Sequence, residues 1–145
     1  MKTAVSAFLS TLLKTILLFF APIKGIVILV ALSTILDTCF GFWKAKNLNQ
    51  QITSKKWRHG FVPKVLSYVV AVMLVYTSDY FILNELMKLV LSIEFLSTKL
   101  IALALISIEV KSMDESFKKV KGWSFLEKIT SYIMKAKDIK KQINE

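Results

Sequence analysis

The chain of 145 residues is 54% hydrophobic and carries 20 Lys and Arg against 10 Asp and Glu, with a mean hydropathy of +0.55. Its apolar residues stand in long blocks with the charge mainly between and after them, which points to an all-α integral membrane protein rather than a soluble enzyme. The apolar content excludes a disordered chain, and the single cysteine excludes a disulfide-stapled secreted domain.

The first element is an apolar block from Ala4 to Ala21, interrupted by Lys14 and several Ser and Thr. Pro22 and Lys24 end it. Residues 1–24 are therefore an N-terminal amphipathic helix on the membrane surface, or an additional span. No small-x-small cleavage site follows the block, which argues against a signal peptide.

Residues 25–43 form the first confident span, with Asp37 as their one charge. Ten Ile, Val, Leu or Phe residues favour insertion by ~3–6 kcal/mol, against up to ~3 for the Asp. Residues 44–64 read as a polar loop with six basic residues and no acid. A second span follows at 65–83, with Asp79 near the outer headgroups beside Tyr76 and Tyr80. After a polar step at Asn84-Glu85, a third span is placed at about 90–110. It must carry Lys99, because the apolar run beyond that residue is ~17 Å of helix, too short for a ~30 Å core. Three spans result, or four if the first block crosses.

Residues 111–145 form a basic cytoplasmic tail with nine Lys and five acids. Gly122 reads as a helix stop, and Ser124-x-x-Glu127 as a capping box opening a further helix. Along it Leu126, Ile129, Ile133, Ala136, Ile139 and Ile143 recur at helical spacing. Lys128, Lys135, Lys137, Lys140 and Lys141 are candidate lipid contacts; the alternative is a solvated or bundle-packing helix. The loop and the tail are the two basic segments and an even number of spans separates them. Both then face the cytoplasm, and the net charge of +10 is mostly a topology signal. Nucleic acid is not an expected partner.

Enzymatic chemistry has little support. His59 stands alone in a basic loop, Cys39 alone in a span, and no phosphate loop, Gly-x-Ser-x-Gly or His-Glu-x-x-His occurs. No cofactor or metal is implied. The intramembrane charges are more informative. Ser33, Asp37 and Gly41 share one helical stripe, a candidate pore lining or oligomer interface. Lys44 and Lys64 are the candidate partners of Asp37. Glu94 and Lys99 pair between protomers or snorkel to opposite interfaces. Glu109, Ser112 and Glu115 recur every three residues where the third span leaves the membrane.

Together these segments resemble the toxin-secretion/phage-lysis holin family. The resemblance rests on Asp37-Thr-Cys-Phe-Gly41 closing a span, then Lys44-Ala45-Lys46 and Thr53-Ser54-Lys55-Lys56. Gly60 and Lys64 open the next span, and Ile108-Glu109-Val110-Lys111-Ser112-Met113-Asp114-Glu115 follows the last. It covers roughly residues 25–120, and the order and spacing carry it more than any one motif. The family pattern departs at Thr38-Cys39-Phe40, at Ser116 where Asn is usual, and in the long Lys-rich tail. The resemblance implies a phage- or prophage-encoded protein of the bacterial inner membrane. It would form homo-oligomers and open lesions that release an endolysin or a toxin. The family motif implicates Asp37, Gly41, Gly60, Lys64, Glu109, Ser112 and Glu115. A non-lytic membrane anchor, a small ion or solute channel and an antiholin are the alternative functions.

Overall fold

A computed structural model describes residues 2–51, 54–83, 85–86 and 93–143, with side chains over 4–51, 60–83, 85–86 and 93–139. Every element among them is helical. Helix α1 is Lys2–Phe20, followed by a 3-10 turn Ala21–Ile23. Helix α2 is Lys24–Asn47 and α3 is Ser54–Ser78, which passes into a π-helical turn Asp79–Leu83. Helix α4 is Leu96–Lys121 and α5 is Phe125–Ile143.

Among the described residues, two helical stretches are long and apolar enough to cross a membrane, Ala4–Asn47 and Gly60–Leu83. At 1.5 Å per residue the first is ~66 Å long, about twice a bilayer core. It therefore has room for one crossing plus a surface segment, or for two crossings. The break between its halves comes from Pro22, which lacks an N–H and sits in the 3-10 turn. Helix α4 meets no such test, because Lys99, Glu109 and Lys111 interrupt its apolar run.

The expected polar loop 44–64 is largely helix. Lys44 and Lys46 occupy the last turn of α2, where cations complement the helix dipole. Asn49 then takes a left-handed φ of 52°. Its N–H donates to Lys46 O at 3.4 Å, and the Gln50 N–H donates to Ala45 O at 2.9 Å. This is a Schellman stop with Asn in the place glycine usually takes. Because α3 already starts at Ser54, Lys64 is a helical residue with a fixed direction rather than a loop residue. Helix α4 runs on past 111 to Lys121, one residue before the expected stop at Gly122. The expected turn at Asn84 and the start of the third span at 90 lie outside the described residues, but within the expected 90–110 the helix begins only at Leu96, because residues 93–95 are not helical and Phe95 takes a left-handed φ of 53°.

The chain divides into two compact units. The first comprises Met1–Leu32 and Val65–Leu105. Its buried residues are mainly apolar: Ile23, Val30, Val72, Tyr76, Ala102 and Leu105. Phe19 and Phe20 of α1 join Tyr76 and Tyr80, with Phe19–Tyr76 centroids 5.3 Å apart and Phe19–Tyr80 5.1 Å. In a 3-10 turn the Phe19 carbonyl would accept from the N–H three residues on, but that residue is Pro22 and has none. The Tyr76 hydroxyl donates to it at 2.9 Å. Asp79 is buried within the first unit. Its Oδ2 accepts from both the N–H and the hydroxyl of Thr98 at 2.6 Å. Thr98 is the third residue of α4, so Asp79 satisfies an amide that no carbonyl of its own helix can reach. Phe95 precedes α4 with a φ of 53°, and its ring packs 5.1 Å from Tyr76.

The second unit comprises Ser33–Lys64 and Ile106–Glu145. Its interior has the opposite character. Ser33, Thr34, Glu109, Asp114, Ser116 and Ser124 are buried there, with Met113 beside them. So many enclosed polar groups require internal partners, and these build the site described next.

Candidate functional site

Three helices of the second unit each bring one charge to a single point. Helical spacing from Ser33 carries Asp37 onto the inner face of α2. The first turns of α3 carry Lys64, and α4 carries Glu109. Lys64 Nζ donates to Asp37 Oδ2 at 2.9 Å and stands 2.6 Å from Glu109 Oε2. The lysine side chain is 30% exposed, that of Asp37 14% and that of Glu109 0%. Lys64 therefore holds both carboxylates, Asp37 through a charge-assisted hydrogen bond and the enclosed Glu109 at ion-pair distance. The formal sum of the three groups is one negative charge.

A cavity of about 420 Å³ opens beside this triad. Asp37, Thr38, Gly41, Lys44, Gly60, Lys64, Ser112 and Ser116 are among its lining residues, with the Gln50 and Gln51 side chains. Its hydroxyls, amides and charges offer water several hydrogen-bond partners.

The placement of the sequence candidates divides cleanly. Asp37, Gly41, Gly60, Lys64 and Ser112 line this one cavity, and Glu109 pairs with Lys64. Lys44 lines the same cavity, but Lys64 takes the carboxylate. Glu115 is exposed, and Ser116 occupies the inward position. From Glu109 the inward stripe is i, i+3, i+7, which on a 3.6-residue helix stays on one face where i, i+3, i+6 drifts off it. The Ser33–Asp37–Gly41 stripe is used inside the chain: Ser33 is buried, Asp37 is paired and Gly41 lines the cavity. Glu94 and Lys99 belong to the first unit and are exposed, away from this cavity's lining. Cys39 is exposed on α2. The side chains of His59, Lys140 and Lys141 lie outside the described residues. Among the described residues no three His, Cys, Asp or Glu stand together as a metal site.

Two features of the second unit carry little local signal in the sequence. An aromatic series links Trp43 to Phe117 (centroids 5.8 Å, stacked), and Phe117 to Trp123 (4.8 Å) and Phe125 (5.7 Å). It ties the end of α2 to the start of α5. The second feature is Asp114 on α4. Its Oδ1 accepts from Phe125 N at 2.8 Å and Leu126 N at 3.2 Å, and its Oδ2 accepts from Ser124 Oγ at 2.6 Å. Gly122, at φ +77°, makes the turn between the helices, as expected of the stop. Ser124 Oγ caps the Glu127 amide at 3.0 Å, so one arm of the expected capping box is present. The other arm is replaced. Glu127 pairs instead with Lys118 at 2.8 Å, and Asp114 takes the amides at the helix start. Burial pushes the Asp114 carboxyl up. The hydrogen bonds from Ser124, Leu126 and Phe125 and the nearby Lys118 charge outweigh that and hold it below the usual carboxylate range.

Comparison with protein-family models, with curated proteins and with solved structures finds no match for the chain.

Proposed function

We propose that the chain is a holin-type protein of the bacterial inner membrane that assembles with copies of itself and opens lesions releasing an endolysin or a toxin. One observation carries this reading. Residues of the holin-like pattern that lie far apart in sequence, Asp37, Gly41, Gly60, Lys64 and Ser112, meet at one cavity, with Glu109 on Lys64. A shared site gives the order and spacing of the pattern a physical reason. The surrounding surface supports a lipid setting. Exposed large apolar residues run along α1, α2, α3 and α4, including Leu12, Ile28, Leu74 and Leu103. In this reading α2, α3 and α4 cross, with the basic ends and the tail in the cytoplasm. The charges of α4 are tolerated because Lys64 holds Glu109 and Lys99 snorkels.

Inducible expression in bacteria should then arrest growth abruptly, collapse the membrane potential and let a cytoplasmic protein marker out. Continued growth at high expression with the potential intact would remove the proposal. Leakage of a small dye without the protein marker would replace it with a narrow channel.

Helix α1 is placed on the outer surface. Ser6, Ser10 and Lys14 share one side with Thr11 and Thr15, while Val5, Leu9, Leu12 and Ile16 occupy the other. In a Cys39→Ser background, a Thr3→Cys variant should react with a membrane-impermeant thiol reagent added outside intact spheroplasts. Leu48→Cys and Thr130→Cys should react only after permeabilisation. Protection of Thr3→Cys until permeabilisation would make α1 a fourth span.

A further inference from the structure

Helix α5 has an apolar side that nothing in the described structure covers. Ile129 is 51% exposed, Ile133 52%, Ile139 57% and Tyr132 66%. At ~100° per residue, Ile129, Tyr132, Ile133 and Ala136 fall within one arc of about 100°, which stays apolar until position 140, a lysine, re-enters it. Lys128 and Lys135 lie along one edge of that arc and Lys137 along the other. The acids Glu127 and Asp138 fall on the opposite pole, ~160–180° from Ile129. Lysines flanking an apolar arc, with the acids turned away, fit a surface that is apolar below and negatively charged at its rim. An anionic lipid leaflet has that layering. A second copy of the helix would bring the flanking lysines of both copies together along the seam, like charge against like.

The start of α5 is also held at a defined depth. Trp43 ends the apolar run of α2, where Trp settles at a membrane–water boundary. The stacked Phe117 and its neighbours Trp123 and Phe125 bring the beginning of α5 to that same level within the second unit. Lys128 Nζ stands 3.7 Å from the centre of the Trp123 ring, so a cation and an interfacial aromatic share one position. The hydrogen bonds that Asp114 accepts and the pair Lys118–Glu127 then fix how the helix leaves α4.

We infer that α5 lies on the anionic headgroup surface of the cytoplasmic leaflet, with Ile129, Ile133 and Ala136 toward the acyl chains and Glu127 and Asp138 toward water. The inference rests on the membrane placement proposed above. It deepens that placement by naming the lipid class the tail reads.

The test is spin-label depth measurement on the full chain in a Cys39→Ser background. Labels go on Ile28→Cys in α2, Ile133→Cys and Asp138→Cys. The protein is reconstituted in vesicles of phosphatidylcholine alone, or of phosphatidylcholine mixed with phosphatidylglycerol. With phosphatidylglycerol the Ile133 label should be reached by oxygen and shielded from a water-soluble nickel chelate, and the Asp138 label should show the reverse. Changing Lys128, Lys135 and Lys137 together to Gln, or using phosphatidylcholine alone, should return the Ile133 label to water. Should the Ile28 label lie in lipid while the Ile133 label stays aqueous in both vesicle types, the surface proposal alone fails. An Ile28 label in water would remove the membrane placement as well. Spin–spin broadening at Ile133 that is the same in both lipid mixtures would assign the apolar arc to a second copy and overturn the lipid assignment.

Discussion

A Lys64→Met variant should be the most damaging single substitution in the second unit, lowering its stability by about 3–5 kcal/mol. The physical reason is the asymmetry of the triad. Glu109 is fully enclosed and has Lys64 as its ion-pair partner, while Asp37 loses a charge-assisted hydrogen bond in the same step. Removing the lysine takes from both carboxylates the cation that bridges them. Glu109→Gln should cost less, because Lys64 then keeps Asp37. Combining Lys64→Met with Asp37→Leu and Glu109→Leu should recover much of the loss, since a packed apolar group needs no partner. Unfolding of the detergent-solubilised protein with increasing dodecyl sulfate, followed by circular dichroism, ranks the three. Equal midpoints for wild type and Lys64→Met would show that the triad carries no stability. If the polar site matters for lesion opening, the apolar triple variant separates the two roles: it should fold and yet fail to arrest growth.

The legible part of this architecture is what periodicity and composition determine directly. Helix content and the Gly122 stop follow from local residues, and residues 25–43 fall inside a helical stretch long and apolar enough to cross a membrane. Long-range pairing is less legible. Asp37 declares itself as an expensive charge, but Lys44 and Lys64 are equal candidates until α3 is known to begin at Ser54. That early start turns Lys64 into a helical residue directed at α2. Glu115 illustrates another limit. A repeat every three residues looks like a face, yet a helix advances 3.6 per turn, and the inward position falls to Ser116. Asp79 and Asp114 are harder still. Each satisfies the first amides of a helix that follows it in the chain, at Thr98 and at Phe125, and no local pattern reports that. A single rule connects them in retrospect: a buried helix start needs an acceptor, and where its own N-cap does not suffice an acid of the preceding helix supplies it.

That rule makes Asp114 the second large effect. Asp114→Ala removes the acceptor of the Phe125 and Leu126 amides and of the Ser124 hydroxyl at once. Local opening at the start of α5 should become easier by about 2–3 kcal/mol, the scale of losing charge-assisted bonds to partly enclosed donors. Hydrogen exchange read at the amides of Phe125 and Leu126 measures this, while amides in the middle of α2 should be unchanged. The pH dependence has a definite sign. The folded carboxyl sits below its ordinary value, so it binds its proton less readily in the folded than in the opened state. Its contribution is complete above about pH 4, the ordinary range of an Asp, and disappears as the pH falls through the lower folded value. Protection of the two amides should therefore be flat, after correction for intrinsic exchange, from neutral pH down to that range and decline only below it. In Asp114→Ala the same acid decline should vanish. If the decline persists unchanged in the variant, a different acid holds the start of α5. If protection at Phe125 and Leu126 is unaltered by the substitution, the helix start does not depend on Asp114, and the Trp43–Phe117 stack and the Lys118–Glu127 pair hold it.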